Sequence, residues 1–256
     1  MYKSFTAQDF RGQMELPVDY TIKGFVSYGA WDEENYFNKL EESLKALKIE
    51  YKSQRLPQFL SQVLEVKIKD GIYWFVAVYG GALLSEYLHL ACLFGSKINI
   101  HIGSCGGLYP ELNSADLILP IWSYGTESSA SMYDRENKDF KYYPDINLSK
   151  NIESKIDKKY KVWKGPIISC QAMLGETFED IQTWSKEGYY GVEMETPTVF
   201  SVSKHFNVPS ASIMFVSDNL IKGQTAGDES HKNDKAKRDE VKAEVYRVAI
   251  KTILNI

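Results

Sequence analysis

Two carboxylate motifs in the second half of the chain carry side chains that could do acid-base chemistry together. The first, Glu193-Met194-Glu195, precedes Thr196-Pro197, a pair typical of a helix start. The second contains Asp218, which follows the apolar run 210–216. Because 195–206 has the pattern of an amphipathic helix, both motifs should meet at one edge of a sheet. There, a buried carboxyl group can act as a general acid, and a second can accept hydrogen bonds from hydroxyl groups.

The elements that must position these acids alternate along the chain, without a repeat or a linker. The predicted strands are 24–28, 63–69, 72–79, 98–102, 116–121, 166–169 and 210–216, and the predicted helices are 35–47, 83–94, 178–184, 195–206 and 233–254. Glycines in 103–107 predict a sharp turn after the fourth strand. This alternation predicts an α/β fold, a single three-layer α/β/α domain over residues 1–256 with a central mixed, twisted sheet.

Composition excludes several classes of function. The 256 residues are 44% hydrophobic and 25% charged, with a net charge of −4, and the basic residues are scattered. We therefore expect no nucleic-acid partner and no membrane partner. The first ten residues have no apolar core or cleavage signal, which predicts a cytoplasmic protein with free thiols at its three cysteines. The four histidines lack ligand spacing, so no metal is expected.

Four motifs resemble the nucleoside phosphorylase family, which includes purine nucleoside and uridine phosphorylases and the related nucleosidases for methylthioadenosine and adenosylhomocysteine. They are 101–108, which reads His-Ile-Gly-Ser-Cys-Gly-Gly-Leu, then 169–174, 193–195 and 217–218, in the family's order. The resemblance implies a phosphorylase-like fold and cleavage of the N-glycosidic bond of a nucleoside. It also implies a homo-oligomer, either a dimer or a trimer of dimers.

The resemblance gives the two acids their roles. Asp218 matches the general acid that protonates N7 of a departing purine, which favours a purine nucleoside as substrate. Glu195 matches the residue that accepts hydrogen bonds from the ribose hydroxyls, with Met194 against the sugar and Glu193 behind it. By residue type alone, Asp218 could equally cap the segment after its strand, and the other acids could simply favour a helix N-terminus.

The resemblance also predicts how the base is held. Met173 and Leu174 stand where the family presents an aromatic side chain to the base, so they would offer an apolar face. The polar, glycine-containing segment 222–228 could form a mobile lid. Beyond it, His231 or Lys232 lies near the position of a basic residue that pairs with the catalytic acid when the lid closes.

The pocket for the acceptor departs from the phosphorylase pattern. Gly29, Gly103 and Ser104 match the family's phosphate loops, and the amides of 103–106 could form an anion nest. However, His101 replaces an arginine, and the loop that contains Gly29 is acidic instead of basic. The same loop resembles the start of the hydrolytic nucleosidases, and Glu34 falls on the acid that activates water there.

Three alternatives, two reactions and a binding function, therefore stay open. Overall resemblance puts phosphorolysis, with inorganic phosphate as co-substrate and no other cofactor, slightly ahead of hydrolysis by water that Glu34 activates. A non-catalytic relative that only binds nucleosides is the third alternative. Arg55 lies near the region from which a neighbouring subunit would donate an arginine.

Overall fold

A mixed sheet of ten strands forms the centre of the protein in the computed structural model, which describes residues 2–256 except for the side chains of Lys3, Gln58 and Ser230. The strands are β1 (Gly24–Gly29), β2 (Lys52–Arg55), β3 (Val63–Ile68), β4 (Gly71–Val78), β5 (Asn99–Gly107), β6 (Leu117–Tyr124), β7 (Lys141–Tyr142), β8 (Val162–Ser169), β9 (Gly191–Glu193) and β10 (Ser210–Asn219). Their order is β10-β6-β8-β9-β5-β1-β4-β3-β2, and β7 pairs with β6.

The pairing of the strands sets the position of the candidate site. Strand β5 is parallel to both β1 and β10, so these three strands end at the same edge. Strand β10 also pairs with β6, and β5 with β9, which closes β5, β10, β6, β8 and β9 into a ring. The motifs at the ends of β5, β9 and β10 are thereby brought together, as the sequence predicts.

Helices cover both faces of the sheet. They are α1 (Ala7–Gln13), α2 (Glu33–Ala46), α3 (Gly81–Leu93), α4 (Ser128–Ser131), α5 (Ile146–Lys155), α6 (Phe178–Lys186), α7 (Thr196–His205), α8 (Glu229–Asn233) and α9 (Lys235–Ile253). Apolar residues of α2, α5 and α9 pack on one face, and those of α3 and α7 on the other. Among the described residues, no helix combines the length and apolar composition needed to cross a bilayer.

Successive side chains of a strand point to opposite faces of the sheet, and helices cover both faces. The three layers that result confirm the predicted α/β fold. In β1, Phe25 packs with α3, whereas Val26 and Tyr28 pack with α2 and α9. Full burial of a side chain of this kind contributes roughly 1.5–3 kcal/mol. Because both faces of the sheet are buried, the central strands read as continuous apolar runs, which is why they could be predicted.

The sharp turn predicted for 103–107 was wrong, because β5 continues in extended conformation to Gly107. Gly106 and Gly107 pair with β10 on one side and β9 on the other. Glycine is needed there for space: a Cβ at Gly106 would lie 2.6 Å from Leu220 Cδ1. The amides of 103–106 therefore belong to a paired strand, and the predicted anion nest does not form.

Other predicted boundaries differ by a few residues. The helix predicted for 233–254 is α9, and the short helix α8 before it was not predicted. Short elements with weak patterns, namely α1, α4, α5, β2 and β7, were not predicted.

Candidate active site

A cavity of about 1350 Å³ opens where β1, β5 and β10 end. Its lining at this end includes Gly29, Tyr79, Ser104, Met173, Ser217 and His231. The two predicted acids, Asp218 and Glu195, are buried just behind this wall, at 8% and 4% exposure. The cavity also extends between α2 and α9, so it is lined by residues of both helices.

Asp218 is held at the cavity by its neighbours. Ser217 lines the cavity beside it, and Nδ1 of His231 lies 3.8 Å from its Oδ1. Burial raises the pKa of Asp218, while a hydrogen bond from Ser217 and the charges of His231 and Arg238 lower it. Because burial is the largest of these effects, Asp218 holds its proton more tightly than a free carboxyl group does, as a general acid must.

The alternative role for Asp218, a cap on the following segment, is excluded. The next residue, Asn219, makes the cap, since its Oδ1 accepts hydrogen bonds from the amides of Ile221 and Lys222 at 3.0 and 3.1 Å. The side chain of Asp218 is therefore free for chemistry at the cavity.

Glu195 is fixed by a contact across the site. Its Oε1 accepts a 2.7 Å hydrogen bond from the amide of Gly80, and its Oε2 lies 3.8 Å from Nε2 of His101. A Cβ at Gly29 would come within 2.7 Å of the same Oε2, so only glycine fits beside it. Burial and the nearby charge of Glu193 raise the pKa of Glu195. One carboxyl oxygen thus remains for a ligand.

Glu193 has a different task from its neighbour. Its Oε2 accepts hydrogen bonds from the amides of Glu195 and Thr196 and from the Thr196 hydroxyl, all at 2.7–2.8 Å. It therefore caps α7 and holds Glu195 in place. Burial raises the pKa of Glu193, and the proton can sit on Oε1, which has no partner among the described residues.

His101 lies behind the acceptor end of the cavity. Its Nδ1 is 3.0 Å from Ser27 Oγ, and complete burial lowers its pKa to about 3. The imidazole is therefore neutral, and its contact with Glu195 is not an ion pair. Gly103 is buried beside it, since a Cβ there would lie 3.6 Å from Nε2. Of this predicted pocket, Gly29 and Ser104 line the cavity.

Two predicted site residues are exposed and lie outside the cavity wall. Glu34 is exposed in the first turn of α2 and is not part of the cavity wall, so its position does not support the predicted role as the base that activates water. Leu174 is 89% exposed and also outside the wall, whereas Met173 lines it. Both positions have one physical explanation: adjacent residues in a helical turn point in different directions.

Sequence comparison supports the same family as the motifs. A family model described as the phosphorylase superfamily matches residues 82–255, more than half of the chain. The chain belongs to the phosphorylase superfamily. It is therefore an enzyme of that type, and the residues that carry its site lie almost entirely within the matched region.

Individual relatives are distant. A DeoD-type purine nucleoside phosphorylase of Clostridium beijerinckii is 26% identical over 155 residues, 60% of this chain and 62% of that protein. Its counterpart from Proteus mirabilis is 28% identical over 186 residues, 67% of this chain and 78% of that protein. A uridine phosphorylase of Vibrio fischeri, complexed with 6-hydroxy-1-naphthoic acid, superposes with a TM-score of 0.79 at 17% identity, covering 97% of this chain and all of that one.

Two further residues of this superfamily member shape the site without having been predicted. Gln171 accepts a 3.1 Å hydrogen bond from the amide of Gly81 and donates one to the carbonyl of Met194. It therefore links the start of α3 to the residue that precedes Glu195. Arg238, only 5% exposed, donates from Nη2 to the carbonyl of His231 at 2.5 Å. Arg238 shares a helical spacing with Val241 and Val245, which could have indicated its buried position.

The carboxylates are the groups best suited to hold a cation, if one binds. Within the described residues, His101, Glu193 and Glu195 each offer a ligand atom, and these atoms lie within 4.8 Å of one another. Glu127 lies near them, with its pKa raised to about 7 by burial. Protonation satisfies the same carboxyl groups without a metal, so this cluster does not by itself indicate one.

Proposed function

We propose that the protein cleaves the N-glycosidic bond of a purine nucleoside by phosphorolysis, giving the free base and ribose 1-phosphate. The observation that carries this proposal is the buried Asp218, with its raised pKa and with His231 beside it, next to Ser217 of the cavity wall. A purine leaves most easily when its N7 accepts a proton. An acid in this environment supports that step.

The reaction begins with the sugar. Oε2 of Glu195 accepts a hydrogen bond from a ribose hydroxyl, while its Oε1 stays bound to the amide of Gly80. Met194, buried beside it, packs against the sugar. As the C1′–N9 bond breaks, its electron pair moves to the base, N7 takes the proton of Asp218, and a phosphate oxygen forms the new bond to C1′. The carboxyl group of Glu195 stabilises the positive charge that develops on the sugar.

The base is expected between the apolar residues at the opposite wall. Met173 Sδ lies 3.9 Å from the hydroxyl of Tyr79, and both residues line the cavity. Leu174 has no part in this pocket. Preference for a purine over a pyrimidine depends on Asp218, because uridine has no acceptor nitrogen equivalent to N7 for a proton donor at this position.

Hydrolysis is the second candidate, and a specific observation favours it. His101 is neutral where a phosphate-binding arginine is expected, so the acceptor pocket lacks that charge. Since Glu34 lies outside the cavity, water in this pocket would attack without the base that the sequence suggested. This weakens hydrolysis and leaves phosphorolysis ahead.

One assay tests these alternatives. The protein is incubated with inosine, guanosine, adenosine, methylthioadenosine and uridine, with and without inorganic phosphate, and free base is measured. Base released from purine nucleosides only with phosphate supports the proposal, whereas release in either case indicates a nucleosidase. Binding without release indicates the non-catalytic alternative, and preference for uridine would overturn purine specificity.

The same proposal implies a cellular location, a metabolic role, an assembly state and a cofactor requirement. We expect a cytoplasmic enzyme of purine salvage that acts as a homo-oligomer and needs no cofactor besides phosphate. Each of these properties is open to direct measurement, the oligomer first of all.

A further inference from the structure

Arg238 on α9 carries a buried positive charge that is only partly satisfied. Its Nη2 donates to the carbonyl of His231, but Nη1 is buried without a hydrogen-bond partner among the described residues. The residue is 5% exposed and lines the cavity. A buried guanidinium with a free donor is unfavourable unless an acceptor reaches it. The cavity is the place from which such an acceptor can come.

Lys242 lies one helical turn further along the same face of α9. It is half-buried, lines the cavity, and its Nζ is 5.7 Å from the centre of the Phe215 ring. Phe215 of β10 pairs in register with Ser104 of β5, which lines the cavity as well. Lys242 therefore lies over the paired strands β10 and β5, the second of which contains Ser104.

Lys242 has three cationic neighbours and one acidic one, Asp239, whose Oδ1 lies 3.8 Å from its Nζ. Burial lowers its pKa, and the charges of Arg238, Lys235 and Lys39 lower it further, whereas Asp239 raises it. All four of these neighbours also line the cavity. A group of cations in a partly buried space is stabilised by a bound anion, because the anion removes the mutual repulsion.

We propose that Arg238 and Lys242 bind a phosphate dianion at the acceptor end of the cavity, together with Ser104 and the backbone at Gly29. This inference rests on the proposed phosphorolysis and supplies the positive charge that neutral His101 does not. Guanidinium and ammonium groups are the usual partners of phosphate, the first through two parallel hydrogen bonds and the second as a point charge. The site takes inorganic phosphate; the phosphate group of a nucleotide has the same chemistry and is the other source to test.

Binding of inorganic phosphate to the nucleoside-free protein tests the site by isothermal titration calorimetry. Each charge-assisted contact is worth about a tenfold to hundredfold change in affinity. We therefore expect Arg238→Gln and Lys242→Gln each to weaken phosphate binding by at least about tenfold. Arg238→Lys, which keeps the charge, should restore part of the binding and also shows whether loss of the guanidinium merely disturbs folding.

Lys237→Gln is the matched control, because Lys237 is an exposed lysine of the same helix, paired with Asp234 and outside the cavity wall. It should bind phosphate as the parent does. Parent-like phosphate affinity in both cavity variants, or no phosphate binding by the parent, would overturn the site. Binding of adenosine 5′-monophosphate, tighter than adenosine and lost in both variants, without binding of inorganic phosphate would overturn the acceptor role and assign the site to a nucleotide.

The result is separable from the proposed function, since calorimetry needs no turnover. Phosphate bound through α9 without release of any base would leave this site standing and reject the reaction. Release of base that does not depend on phosphate, with no phosphate bound, would reject both phosphorolysis and the site.

Discussion

At the scale of single residues, Asp218 carries the chemistry that distinguishes a purine. Asp218→Asn keeps the shape of the side chain but removes the acidic proton, so turnover of inosine should fall by about 10²–10⁴-fold, the usual contribution of a general acid. A nucleoside already methylated at N7, such as 7-methylguanosine, releases its base without protonation and serves as the control substrate. Equal losses on both substrates would contradict the role of Asp218. Steady-state rates of base release provide the measurement.

The pH dependence of the reaction follows from the groups that face Asp218. Its protonated form is the active one, so kcat/KM should fall as pH rises through its pKa in the free enzyme. His231 and Arg238 lower that pKa, and Asp228 raises it. Because the interaction with His231 lowers this pKa, His231→Gln should move the falling limb to higher pH. Lys232→Gln, at the exposed next residue, should leave the falling limb at the pH of the parent. If the falling limb does not move in His231→Gln either, then His231 does not influence the pKa of Asp218.

Residue types at strand ends could be predicted from sequence, but tertiary burial could not. Asp218 and Glu195 were found because acids lie at the ends of predicted strands, and the structure buries both beside residues of the cavity wall, Ser217 and Gly29. Arg238 was missed because 232–242 reads as a solvated charged stretch, and only packing against the sheet shows which of its cations is buried. Glu34 was misplaced because a match in sequence does not determine which face of a helical turn a side chain occupies.

At the scale of elements, the cap of α7 links stability to the ribose site. Glu193→Ala leaves two buried amides and a hydroxyl without their acceptor, so the free energy of unfolding in urea should drop by about 1–3 kcal/mol. Because one of these amides belongs to Glu195, KM for the nucleoside should rise as well. Thr177→Ala is the control: it removes the exposed cap of α6, at a cost of about 1 kcal/mol. Identical kinetics in the two variants would show that Glu193 supports only the fold.

Elements with long, buried, periodic patterns were predictable, and those defined by contacts were not. Strands β1, β4 and β10 and helix α2 are continuous apolar or amphipathic segments, so their sequences determine them. The end of β5 is extended only because β9 and β10 pair with its glycines on both sides, which local sequence cannot show. Glycine predicted a turn there, although its actual role is to let Leu220 and Val216 approach the strand.

At the scale of the whole molecule, an apolar patch surrounds the mouth of the cavity. Trp31 and Leu174 are 69% and 89% exposed, and Phe178 is 67% exposed. Trp31 packs edge-on against Tyr79, with ring centres 4.7 Å apart, and Tyr79 contacts Met173, which precedes Leu174. Large apolar side chains gathered in this way favour contact with another protein surface. We therefore expect the predicted homo-oligomer to cover this patch.

Leu174→Glu tests that expectation, since a carboxylate in an apolar interface would be desolvated without a partner. A stable interface buries roughly 1,200–2,000 Å², and the substitution at its centre should shift the protein to monomers in light scattering after gel filtration. Val18→Glu introduces the same charge at a side chain that is 72% exposed and outside the cavity wall, so it should keep the parent mass. If Leu174→Glu also keeps the parent mass, then either the protein is a monomer or another surface joins its subunits. Dilution of the parent across its dissociation range separates these two cases, because only an oligomer loses mass.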